Sequence, residues 1–334
     1  MSAPMNFSIP ADLKKYLADL DAFIETQILP LQHKDDNNRF FDHRREHART
    51  DWDAGGLPRK EWEDLLAESR RLADEAGFYR LSLPKKYGGQ NSEDGRGSNL
   101  WMAVIREHLA AKGLGLFNDL QNEHRLKAES YEWTLNMPTD HATVSIKDVW
   151  VPESAALGPI HNGLGVAQAF VHENRIRQAA SSLGAAVYCV QQSVEYANER
   201  APFGTPLSHN QGIQFPLVEL ATQCEMLRQL IRKTALEMDS MPHHEIERKI
   251  GDKVSMCNYW ANRLCTQAAD RAIQVHGGNG YSRHYPFEHI WRHHRRYRIT
   301  EGSEEIQMRK IAAYLFGFGG RKSLVDATKQ ESKL

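Results

Sequence analysis

Between Ile213 and Ile231 the apolar residues fall at alternating steps of four and three: Ile213, Leu217, Leu220, Cys224, Leu227 and Ile231. That spacing puts them in one stripe along an α-helix and leaves the other face to charges and amides. The same rhythm returns in Ile250, Val254, Cys257, Ala261, Leu264, Ala268, Ala272 and Val275, and stops at Gly277-Gly278, a natural C-terminal stop. Residues 173–200 form a third such segment, rich in alanine and carrying Leu183, Val187 and Val190. Long amphipathic helices with short connections predict an antiparallel bundle. Pro216, near the start of the first stripe, predicts a kink or a first turn there.

The region 8–120 also reads as helical, with Trp62, Leu65, Leu66, Leu72 and Ala76 as apolar positions. LPKKYGGQNSEDGRGSN interrupts it, a loop by its glycine, proline, asparagine and serine content. Between the helical halves lies HATVSIKDVWVP, where Val144, Ile146 and Val149-Trp150-Val151 give β character and Pro152 ends it. A lone strand must pair with something, and the neighbouring sequence offers little. No internal repeat is present.

A chain of 334 residues can bury a substantial core and accommodates two or three domains. With Lys+Arg 42 against Asp+Glu 43, no overall field draws it to nucleic acid or an anionic membrane. No apolar run reaches the length of a membrane span, and the first residues lack the layout of a secretory signal. Cys189, Cys224, Cys257 and Cys265 make no CxxC pair and read as small core residues of a reducing compartment. The last three residues, Ser332-Lys333-Leu334, read as an address for the peroxisomal import receptor, carried on an exposed polar tail, 319–334. The expected localisation is the peroxisome.

RITEGSEEI, residues 298–306, holds three carboxylates in five residues. Glu304 and Glu305 are expected on a solvated helix face. Glu301 stands against Gly302, which marks a helix boundary or a backbone that something approaches closely. His289, His293 and His294 form an H-x-x-x-H-H run, but it lacks the glutamate of H-E-x-x-H and any outlying cysteine, so no metal is assigned.

Four segments, in order along most of the chain, carry a resemblance. They are LPKKYGGQ, VSIKDVWVPESAALG, YANERAPFGTPLSHNQGIQF and QVHGGNGYSRHYPFEHIWRHHRRYRITEGSEEI. They resemble, respectively, the P-x-x-Y-G-G loop, the strand and V-P turn closing the middle domain, the R-x-x-F-G-x-P-L…Q segment, and the H-G-G-x-G-Y…I-x-E-G-T-x-E-I block of the acyl-CoA dehydrogenases. That likeness implies a mainly α fold: an N-terminal helical domain (1–126), a remnant of a middle β-domain (127–160), a C-terminal four-helix bundle (161–318) and the tail. It implies FAD as cofactor, an acyl-CoA substrate, electron-transfer flavoprotein or oxygen as acceptor, and a homodimer or homotetramer.

By the same likeness Glu301 is the base that takes the α-proton of an acyl-CoA thioester while the β-hydrogen leaves as hydride to flavin. A desolvated carboxylate is a stronger base than one in water. Gly302 permits close approach of substrate, and Arg175 is the substrate-side arginine. Some members draw the base from the position just before that arginine; here it is Asn174, which cannot be one. Arg200, Phe203 and Gln211 correspond to residues that reach a neighbouring subunit's FAD. Gln274, Gly277 and Gly278 correspond to its diphosphate and adenine side, and Ser303 and Glu305 to the region beside the base. His293 replaces an aspartate, which removes an ion-pair partner for Arg292 or Arg295. Only RLKAESYEWTLNMPTD fills a gap where the family places a β-domain of roughly a hundred residues. The expectation is therefore impaired dehydrogenation. The alternatives are a non-catalytic or truncated form that binds acyl-CoA or a full-length partner, and an oxidase using oxygen.

Overall fold

The computed structural model describes residues 8–318 except 43, 82, 84, 86, 87, 90–97, 121–129, 132, 133, 136–141, 144–146 and 159. The tail with its terminal tripeptide lies outside the described residues. The chain is mainly helical. Helix α1 (Ala11–Phe23) continues through one π turn, Ile24–Ile28, into α2 (Leu29–His33). A small antiparallel pair follows, β1 (Thr50–Asp51) and β2 (Leu57–Pro58), and then α3 (Lys60–Glu75). Helix α3 buries Trp62, Leu65, Leu66, Ser69 and Ala73; Ala73 takes the inward place expected of Ala76, which is exposed.

Helix α4 (Asn99–Ala110) faces two cores at once. Its Val104, Ile105 and Leu109 belong to the N-terminal core, while Ala103 belongs to the core of the C-terminal bundle. Three long helices build that bundle: α5 (Gly163–Glu199), α6 (Gln211–Asp239) and α7 (His243–His276). The short α8 (Phe287–Tyr297) and α9 (Glu304–Phe316) pack on α7. All eight residues of the second apolar stripe are buried, and α7 ends where Gly277 turns to positive φ. All four cysteines are buried and free. Burial pushes the thiols of Cys224 and Cys257 up to about 12. Among the described residues no helix is long and apolar enough to cross a membrane.

Two polar locks tie α4 to the bundle. Asp239, at the end of α6, accepts from the N–H groups of Asn99 (2.7 Å) and Leu100 (3.0 Å) and from the Ser98 hydroxyl (3.1 Å), so it caps α4 from another helix. The buried Glu107 carboxylate receives Arg228 at 2.5 Å and Arg232 at 3.2 Å. Beside the second lock α4 lies against α5 at Gly184, where a Cβ would stand 2.3 Å from the Glu107 carbonyl oxygen.

Of the strand expected within 141–152, β4 (Ala142–Thr143) pairs antiparallel with β3 (Ser130–Tyr131), while Val144 and Ile146 lie outside the described residues. Val149-Trp150-Val151 is not a strand: these residues run exposed, Trp150 at 86%, because no second layer covers them among the described residues. Most of segment 127–146, on which the expectation of a missing β-domain falls, lies outside the described residues.

Candidate active site

The loop between α8 and α9 reverses the chain on two consecutive left-handed residues, Glu301 (φ +58°) and Gly302 (φ +98°). Glycine adopts this freely, but a glutamate there costs about 1–2 kcal/mol, so neighbours must hold it. They are identifiable. Arg175 of α5 donates to the Glu301 carbonyl oxygen from Nε (3.0 Å) and Nη2 (2.7 Å), and Gln307 of α9 adds a third bond at 2.9 Å. Gln307 also reaches the Gly302 carbonyl at 3.1 Å.

Glu304, expected on a solvated face, is instead 6% exposed. Its carboxylate accepts from Arg263 at 2.7 Å and from Arg298 of the same loop, and its N–H donates to the Arg298 carbonyl. Burial opposes its charge, but the two guanidinium groups outweigh that and hold the carboxyl below its ordinary value. The cluster is an anchor for the start of α9.

These bonds divide the groups of Glu301 into distinct directions. Its carbonyl is clamped from behind. Its N–H donates to no acceptor among the described residues. Its half-buried side chain accepts from Asn174 Nδ2 at 2.5 Å. Gly302 fits because a Cβ there would meet Gln307 Nε2 at 3.2 Å and Arg175 Nη2 at 3.3 Å.

Arg175, expected on the substrate side, is 5% exposed and turns its guanidinium onto the loop backbone, with Nη1 buried and without a hydrogen-bond partner among the described residues. It holds the loop that carries Glu301. Behind it His172, 1% exposed, lies 2.8 Å from Glu247, which also pairs with Lys310 and accepts from Tyr314 through its carbonyl. Burial pushes His172 down, so the neutral ring donates Nε2–H. Burial pushes Glu247 up, but the hydrogen bonds from His172 and Lys310 prevail and bring it to about 2. Sequence reading missed His172, Glu247, Gln307 and Lys310. The first two are 75 residues apart, and nothing local marks a pair at that separation.

The remaining expected residues lie at the other end of the bundle. Arg200 follows α5, exposed and without a carboxylate partner among the described residues. Phe203 is held at φ +59° with its ring wholly in solvent, and Gln211 opens α6. Tyr196 stacks on His276 at 4.3 Å, which brings the ends of α5 and α7 together. Gln274, Gly277 and Gly278 thus share this end, and nothing lies within 4 Å of where a Cβ would stand on either glycine. From Arg175 to Arg200 the helix climbs about 37 Å at 1.5 Å per residue. Ser303 and Glu305 stay with the base: Ser303 precedes α9, and the exposed Glu305 is held below its ordinary value by backbone and Ser303 hydrogen bonds.

The histidine run has other employment. His294 lies 2.8 Å from Ser182, which donates to Asn262 (2.7 Å), and Asn262 donates to the Tyr297 carbonyl (2.8 Å). Burial takes His294 down to about 3, so it serves as a neutral link between α8 and the bundle. His293 lies 3.1 Å from the Tyr297 hydroxyl. Arg292, although an aspartate is missing beside it, finds Glu288 at 2.7 Å.

Residues 161–316 match the family described as acyl-CoA dehydrogenase, C-terminal domain. An acyl-CoA dehydrogenase of Bacillus subtilis (strain 168) is 36% identical over 167 residues, 50% of this chain and 42% of that protein. The chain thus spans less than half the length of that relative. Among solved structures, a putative acyl-CoA dehydrogenase from Mycobacterium abscessus superposes with a TM-score of 0.72 at 18% identity, covering 93% of this chain and 99% of the other. An acyl-CoA dehydrogenase from Bacillus anthracis, complexed with FAD, gives 0.70 at 17% identity, covering 98% and 69%. At such identities the structural likeness is one of fold. Over residues 161–316 this chain is similar to the C-terminal domain of the acyl-CoA dehydrogenases.

Proposed function

We propose that this chain carries out FAD-dependent α,β-dehydrogenation of an acyl-CoA thioester, with Glu301 as the base. The carrying observation is the sorting of the Glu301 groups. Arg175 and Gln307 fix the carbonyl, which leaves the N–H unused and the carboxylate forward. A thioester whose carbonyl oxygen accepts that N–H would hold its α-carbon near the same residue's carboxylate. The N–H would then stabilise the enolate charge that develops as the proton leaves.

The far end of the bundle fits the diphosphate and adenine half of FAD. It combines an uncommitted arginine, an exposed aromatic ring and two glycines with open space over their backbone. Bound FAD would supply the hydride acceptor for the β-hydrogen. Arg200, Phe203, Gln211, Gln274, Gly277 and Gly278 would hold it for a second copy of the chain, whose own Glu301 faces the flavin end. This reading implies a homodimer or homotetramer, with electron-transfer flavoprotein or oxygen as final acceptor. Impairment through a shortened middle segment belongs to the same proposal, since a flooded site weakens a desolvated base. Peroxisomal import through Ser332-Lys333-Leu334 is proposed separately; a reporter carrying residues 319–334 should become punctate, and a diffuse one would remove it.

The test of the cofactor half is a visible spectrum of protein purified with added FAD. A retained flavin band supports the reading. A colourless protein favours the non-catalytic alternative, for which the uncovered run Val149-Trp150-Val151 is the one supporting observation.

A further inference from the structure

Asn174 occupies a position where it cannot take a proton, yet its side chain is not idle. Its Nδ2 donates to Glu301 Oε1 at 2.5 Å, a close contact for an N–H···O bond. The next residue in the helix, Arg175, grips the carbonyl of that same glutamate. Two consecutive residues of α5 therefore hold Glu301 from both ends, one by its backbone and one by its carboxylate.

We infer that Asn174 is a positioning residue for the base: its amide occupies Oε1, fixes the carboxylate plane, and leaves Oε2 as the oxygen that receives the α-proton. The inference rests on the proposed dehydrogenation and deepens it. A glutamate has three side-chain torsions, and fixing one carboxylate oxygen restricts them. When Oε2 takes the proton the Asn174 bond weakens but does not break, because Oε1 still accepts.

Of the charged groups, Arg175 on α5 faces both Glu301 and Glu247 of α7; Glu247 pairs with Lys310 of α9, and Glu304 of α9 with Arg263 and Arg298. A change confined to residue 174 leaves all of them in place. Asn174→Asp keeps shape and volume but sets a second carboxyl at the distance of the present 2.5 Å bond, where two carboxylates share a proton. Asn174→Ala removes the donor alone.

The experiment has two independent readouts. In flavin-reduction kinetics, Asn174→Ala should lower kcat roughly tenfold or more with KM within about twofold, as expected when aim and not binding is lost. Asn174→Asp should move the acid limb of the pH–rate profile up by about one unit or more and recover at high pH. A role in packing alone would leave the isosteric Asp variant with the wild-type profile, and that result overturns the inference. The second readout needs no activity. In 15N-labelled protein one Asn174 side-chain amide proton, assigned by its loss in Asn174→Ala, should lie downfield of other asparagine amides and return to their range in Glu301→Ala. An amide that ignores Glu301→Ala overturns the inference. A wild-type chain that fails to reduce flavin removes the dehydrogenase reading instead, and the amide signature then decides the contact by itself.

Discussion

Glu301 stands where a glycine would be more comfortable, and its neighbours identify the site. A left-handed glutamate followed by a left-handed glycine persists because Arg175 and Gln307 bind its carbonyl. The adjoining glycine carries a direct prediction. Gly302→Ala would put a Cβ about 3.2 Å from Gln307 Nε2 on a backbone at φ +98°, so the variant should lose about 1–2 kcal/mol of stability. Thermal unfolding checks this, and an unchanged Tm would mean that the loop is not held as described. The residue types of the site were legible in RITEGSEEI; their partners were not. Glu304 looked solvated because its two arginines, Arg263 and Arg298, are recognisable as partners only once α7 and the loop are folded together. The bonds from Arg175 to the Glu301 carbonyl were not legible for the same reason: sequence shows a charge but not the direction in which its fork points.

At the scale of elements, periodicity read the long helices well because each has a single apolar stripe and a clear stop. It misread Val149-Trp150-Val151, since a run of Val and Trp looks the same whether a sheet covers it or not. Two junctions between helices can be tested. Asp239 caps α4 from α6, and Asp239→Ala should cost about 1–2 kcal/mol, the usual worth of a lost helix cap. Denaturant unfolding would show it as a lower midpoint with the same slope. Glu247 ties α5, α7 and α9, and its folded value of about 2 lies below the ordinary 4.5. A depressed carboxyl contributes stability above its unfolded value and loses it as pH falls toward the folded one. Glu247→Gln should therefore lower Tm at pH 7, and the gap to wild type should close between about pH 4.5 and 2. A gap that widens on acidification would reverse the sign and remove the argument.

The whole molecule carries its candidate residues in two groups at opposite ends of one bundle, about 37 Å apart along α5. On the proposed function, a complete site would join the Glu301 end of one copy to the Arg200 end of another. Complementation tests that arrangement. Arg200→Glu and Glu301→Gln should each be inactive alone, and mixing them should restore about a quarter of wild-type activity in randomly assorted dimers. No restoration would place both groups in the same site.

The most direct measurement is the flavin absorbance of wild-type protein and of Glu301→Gln, each loaded with FAD and mixed with acyl-CoA thioesters. Bleaching by the wild type and none by the variant, at equal flavin content, is the predicted result. Equal bleaching by both would show that Glu301 is not the base and that the site lies elsewhere.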